Sequence, residues 1–204
     1  MKKKFLIVIL LVNGIFCFSQ DNPFRTNNLY WYGIDFTAIK LIGPVTKKPD
    51  FFIEQNIPSW NKLMKLEDYK FNVQKFYKKK QVKFDFDEVK ERNESIKVED
   101  FNAPNGIYDL SQSDIERVVS SYQKENEGIG LVFIVEDFNK WEAEGSVWVT
   151  FFDCKSHRVL FTKKITSGAG GFSFRNYWAN VFYETMKKSR KKLKKWEKEY
   201  NASL

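Results

Sequence analysis

Beyond its first twenty residues, the chain switches repeatedly between a hydrophobic period of two and one near 3.6, and each switch predicts an element. Tyr30 to Ile42 is mainly aromatic and β-branched and is bounded by Gly43-Pro44, which predicts a first strand. From Ile57 the period becomes helical: Trp60, Leu63, Met64 and Phe71 share a face, with Pro58 tolerable near the helix start. Val82, Phe84 and Phe86 then alternate with Lys83 and Asp85, the pattern of a half-buried strand. Asp87 to Asp100 is charged and carries no period that assigns it, and Asn102 to Asn105, with Pro104 and the following Gly106, predicts a turn.

The second half is more regular. Ile115, Val118, Val119 and Tyr122 give Ser111 to Lys124 one apolar helical face, and Ser113 with Glu116 has capping-box spacing. Leu131 to Val135 is unbroken apolar sequence, as in a strand covered on both faces. Ser146 to Phe152 and Val159 to Ile165 predict a hairpin around residues 153–158, and Thr166 to Gly171 is a glycine-rich connection. A long helix follows from about Arg175, with Trp178, Phe182, Thr185 or Met186, Leu193 and Trp196 down one side. The expected fold is α/β or α+β: a single mixed sheet of four or five strands, with about three helices near 57–68, 111–124 and 175–199 on its faces. The last of these is a long C-terminal helix, and residues 21–204 form one globular domain.

The leader changes this picture by giving it an address. Lys2, Lys3 and Lys4 precede an apolar run from Phe5 to Phe18, and small or polar Ser19 and Gln20 follow, the order of a secretory signal peptide. The run is shorter than the ~20 apolar residues of a membrane span. Residues 1–20 are therefore expected to be cleaved near Ser19-Gln20, leaving a periplasmic or secreted protein whose polar residues 21–28 form a short leader. Cys17 follows Phe16, where a lipid-anchor signal wants a small residue, so simple secretion is the expectation. Cleavage removes three lysines and lowers the formal net charge from +8 to +5. It also leaves Cys154 without a disulfide partner, so stability must come from packing. With 43% hydrophobic residues, among them 20 Phe, 9 Tyr and 6 Trp, the composition excludes wholesale disorder.

Candidate chemistry is sparse. Gly168-Ala169-Gly170-Gly171 before a helix suggests a phosphate cradle, but no Gly-Lys-Ser/Thr follows. The stretch reads instead as a turn using positive φ angles, and no nucleotide or other cofactor is expected. Cys154 and the single histidine, His157, are too few for a zinc site and fall in a hairpin turn, so neither a metal nor a thiolate nucleophile is expected. Glu136, Asp137, Glu142 and Glu144, close to Trp141 and Trp148, support an alternative reading as a carbohydrate-active hydrolase. Lys187, Lys188, Arg190, Lys191, Lys192, Lys194, Lys195 and Lys198 are balanced only by Glu197 and Glu199. They form the candidate surface-binding set, suited to an anionic surface such as lipid, lipopolysaccharide, nucleic acid or an acidic partner.

The order of Leu131 to Val135, Val147 to Asp153, Val159 to Thr162, Gly168 to Gly171 and a long final helix resembles the periplasmic α/β domains of the TolB amino-terminal and curli-secretion lipoprotein type. The chain with its leader is also similar to secreted bacteroidete-type proteins of unknown function. The resemblance implies envelope assembly or partner binding, with no catalytic residues carried over. The expected function is thus an exported, non-enzymatic, envelope-associated binding or assembly protein whose partner is an envelope protein or glycan. The hydrolase and the cationic surface binder are the alternatives.

Overall fold

Residues 22–102 and 108–204 are described by the structure, a computed structural model. The leader, Cys17 and most of the turn expected at 102–106 lie outside the described residues. In chain order the elements are β1 (Asn28–Asp35), β2 (Lys40–Ile42), α1 (Pro49–Phe51), a π-helical turn (Phe52–Asn56), α2 (Ile57–Leu66), α3 (Val73–Phe76), β3 (Gln81–Phe84) and α4 (Asp87–Glu94). A 3₁₀ turn (Val98–Phe101) and α5 (Gln112–Ser120) lead into β4 (Ile129–Asn139), β5 (Glu144–Asp153), β6 (Val159–Gly168) and α6 (Phe174–Ala202).

The sheet has six strands, in the order β3-β1-β4-β5-β6 with β2 also paired to β4. This corrects the expected four or five. The run from Tyr30 to Ile42 is two strands, because the chain turns where the Ile39 amide donates to the Phe36 carbonyl and Asp35 accepts from the Thr37 amide. β1 and β2 then run parallel to successive parts of β4, while β5 and β6 continue antiparallel.

The helices also exceed the expected three. Asp87 and Glu88 occupy the first turn of α4, the sign favoured at a helix start, yet Val89 is its sole buried hydrophobic residue. A helix held by one apolar contact shows no hydrophobic period, which is why the sequence leaves it unassigned. In α5 the capping box is made by Ser111 and Asp114, not Ser113 and Glu116.

Alternation along β4 sends Leu131, Phe133 and Val135 to one face, against α2, α3 and α6, and Val132 and Ile134 to the other, against α4 and α5. The sheet is thereby covered on both sides, as the unbroken apolar run predicts. The first face is packed by aromatics: Trp178 stacks on Phe138 with centroids 4.3 Å apart, and Trp196 meets Phe161 at 5.5 Å. The segment expected to be a polar leader is docked on this layer. Phe24 lies 5.0 Å from Phe161 and 5.4 Å from Phe151, and Lys79 donates to the carbonyls of Pro23 and Thr26.

Candidate functional site

A cavity of about 490 Å³ opens between α2 and α4 at the carboxyl end of β1. Its origin lies in three local features. Pro58 has no amide hydrogen and cannot continue the helical ladder started at Pro49. The ladder therefore widens, with the Ile57 amide donating to the Phe52 carbonyl, and the Ser59 hydroxyl takes up the Asn56 carbonyl at 2.7 Å. The resulting π-turn carries Ile53 and Glu54 into the cavity wall, beside Ile57 and Pro58.

The second feature is a missing strand. β3 ends opposite Trp31, leaving the outer edge of β1 unpaired beyond that point. Asn61 and Asn93 replace the absent neighbour. Asn61 accepts from the Ile34 amide at 2.8 Å and donates to the Ile34 carbonyl at 2.9 Å. Asn93 donates to the same carbonyl at 2.9 Å and accepts from the Phe36 amide at 2.8 Å. Every polar group on these two buried carboxamides is engaged by backbone, so they form a rigid floor.

Third, Gly33 sits at a β-bulge with φ +92°, where an added Cβ would lie 2.5 Å from Asn61 Oδ1 and 3.0 Å from Phe86 Cδ1. Glycine lets Asn61 and Phe86 close over the strand. Phe86, Ile53, Ile57 and Pro58 then make the walls apolar, and Glu54, Lys62, Lys90 and Glu94 ring the mouth. An apolar cleft of this size with a charged rim suits a small, mostly apolar ligand with a polar end. Sequence reasoning did not single out the cleft, although Asn61 on the apolar face of α2 was a legible signal.

The acidic residues singled out from sequence are arranged differently from an open catalytic pair. A bulge after Val135 turns both Glu136 and Asp137 towards the α4–α5 face. Glu136 is buried and fully engaged: it accepts from Trp148 Nε1 at 2.6 Å, from Lys164 at 3.0 Å and from the Leu110 amide at 3.3 Å. Lys164 also binds Asp109. Glu142 is exposed in the β4–β5 turn, Glu144 begins β5, and none of the four lines the cleft.

Burial lifts the Asp137 pKa to about 6, with Glu136 and Glu144 adding to the rise and a hydrogen bond from Ser146 opposing it. The folded chain therefore holds this proton more tightly than the unfolded chain does, and stability is lost as pH rises through about 4 to 6. Asp137→Asn is expected to remove that slope and to raise stability at neutral pH by about 3 kcal/mol. Urea melts of both proteins across this pH range will show it.

Cys154 is buried, and burial pushes its thiol up to about 12, so it is an unreactive core group. The His157 ring contacts the Lys124 carbonyl at 3.2 Å, and no hydrogen bond joins it to Cys154 among the described residues. In the glycine-rich connection only Gly171 has positive φ, followed by Ser173 at +68°.

Of the basic set on α6, Lys187 pairs with Glu184 at 2.7 Å, Lys188 donates to the Thr166 carbonyl at 2.7 Å, and Lys195 lies 3.8 Å from Glu199. Arg190, Lys191, Lys192, Lys194 and Lys198 are exposed, with no carboxylate within 4.0 Å among the described residues.

No family model matches the chain, and no curated protein does. Among solved structures, one from Helicobacter pylori, described as a candidate neuraminyllactose-binding hemagglutinin homolog, is 13% identical. That similarity has a TM-score of 0.37 and covers 89% of this chain and 90% of that one.

Proposed function

We propose that the chain is an exported, non-enzymatic binding protein of the cell envelope, and that its ligand occupies the cleft between α2 and α4. The observation that carries this reading is the preformed apolar cavity built on a floor of satisfied asparagines, at the strand end where open α/β sheets bind ligands. Glu136 is locked into structural contacts, and neither it nor Asp137, Glu142 or Glu144 lines the cleft, whose walls are apolar. The ligand class is a small apolar molecule, or the apolar part of a larger one, with a polar end meeting Lys62 or Lys90.

Titration with anilinonaphthalene sulfonate, an apolar anionic probe, tests the site. The cleft is expected to enhance its fluorescence saturably. Ile53→Trp, which fills the cavity from a half-buried position, is expected to weaken binding roughly tenfold without lowering the melting temperature. Unchanged binding by this variant would remove the cleft as the site. A second reading, electrostatic docking through α6, is favoured by its exposed unpaired cations. Its apolar face is buried on the sheet, so α6 can contact an anionic surface but cannot insert into one.

A further inference from the structure

Several large aromatic side chains reach solvent at one end of the molecule, where the loops after β2, β4 and β6 meet the start of α6. Phe172 is 95% exposed, Trp141 72%, Phe51 53% and Phe174 36%. They come from different segments, which two shallow depressions sharing Phe174 bring near one another. Phe51 and Phe174 line one shallow depression with Val45, Lys47 and Lys48. Phe174 lines a second with Lys140, Gly171 and Ser173, the last two flanking Phe172 in sequence. Trp141 lies over Gly43, where an added Cβ would come within 2.8 Å of the indole.

The prongs are held in place. The Ala169 amide donates to the Ala143 carbonyl at 2.7 Å and the Gly170 amide to the Tyr177 carbonyl at 2.9 Å, tying the β6–α6 loop to the β4–β5 turn and to α6. Gly171 at φ +118° and Ser173 at φ +68° then turn Phe172 outward. Ser173 caps α6, its hydroxyl accepting from the Asn176 amide, so its positive φ is enforced by the helix start that follows Phe172. Around the aromatics stand Lys47, Lys48 and Lys140, exposed and without a carboxylate within 4.0 Å among the described residues, with Asp50 and Glu142 as the nearby acids in sequence.

We propose that this end docks on a lipid bilayer bearing anionic headgroups, with Phe172, Phe174 and Phe51 entering the acyl boundary, Trp141 at headgroup level, and Lys47, Lys48 and Lys140 meeting the phosphates. Phenylalanine tips have no hydrogen-bonding handle for sugar hydroxyls, whereas apolar tips backed by lysines supply the two signals that stable interfacial binding needs. The inference is independent of the cleft ligand.

Sedimentation of the protein with vesicles of mixed phosphatidylglycerol and phosphatidylcholine tests it, with phosphatidylcholine alone as the comparison. Binding is expected to the anionic vesicles, to fall as salt rises, and to shift tryptophan fluorescence to the blue. Phe172→Ser should weaken it roughly tenfold at unchanged melting temperature, and Lys47→Gln with Lys48→Gln and Lys140→Gln should flatten the salt dependence. Equivalent substitutions at Lys191, Lys194 and Lys198 should leave binding intact. The proposal is overturned if no vesicle binding occurs at low salt, or if Phe172→Ser binds normally. It is equally overturned if the α6 substitutions abolish binding, or if the patch proves to join two copies that Phe172→Ser separates.

Discussion

Trp60→Ala is expected to lower the unfolding free energy by about 3–5 kcal/mol, measured by urea denaturation. Trp60 is fully buried on α2 and is the point at which the cleft wall meets the sheet and α6. Its ring lies 5.4 Å from Phe36, 5.5 Å from Phe52, 5.6 Å from Phe138 and 6.2 Å from Phe182. The indole also donates to the Arg175 carbonyl at 2.8 Å, near the start of α6. Truncation opens a cavity that rings anchored on β1, β4 and α6 cannot collapse to fill. Trp60→Phe keeps most of the ring contact and loses the hydrogen bond, so a smaller loss of about 1–2 kcal/mol is expected. Equal losses in the two variants would show that ring packing is not the main contribution.

Arg92→Met is expected to cost about 3–5 kcal/mol for a different reason: it leaves a buried carboxylate without its countercharge. Asp35, at the end of β1, has no solvent exposure and accepts from Arg92 Nε at 3.1 Å, the Tyr122 hydroxyl at 3.0 Å and the Thr37 hydroxyl at 2.6 Å. Arg92 also donates to Ser121 at 2.8 Å and covers the Tyr122 ring at 4.9 Å, so one guanidinium joins β1, α4 and the end of α5. Adding Asp35→Asn to Arg92→Met should recover part of the loss, because a neutral amide no longer needs the cation. A double-mutant cycle with a coupling energy near zero would sink this account. The same network anchors α4, which carries Asn93 to the cleft floor, so Arg92→Met should also weaken probe binding in the cleft.

In the carboxyl-terminal half the expected order of elements is present: a buried central strand, a hairpin, a glycine-containing loop and a closing helix. Those elements were legible because each carries its own period. β4 is apolar without interruption from Leu131 to Val135, α5 has one clean face, and the helix from Phe174 repeats its aromatics over several turns. The sheet's sixth strand was not legible. The Tyr30–Ile42 run has strand composition throughout, and only the Asp35–Thr37 contacts reveal where it turns.

What the sequence by itself determined is the set of elements whose burial is dictated by local periodicity, together with the concentration of cations in the last helix. Tertiary structure alone decided the rest. α4 is held by polar contacts, Glu88 accepting from the Gln123 and Lys124 amides and Asn93 bridging Ile34 and Phe36, and polar contacts leave no hydrophobic period. The cleft exists because a strand stops early and a proline widens a helix, events whose consequence depends on what lies opposite. The exposed aromatics read as core in any sequence, since hydrophobicity records what a side chain prefers and only the fold decides whether it is covered.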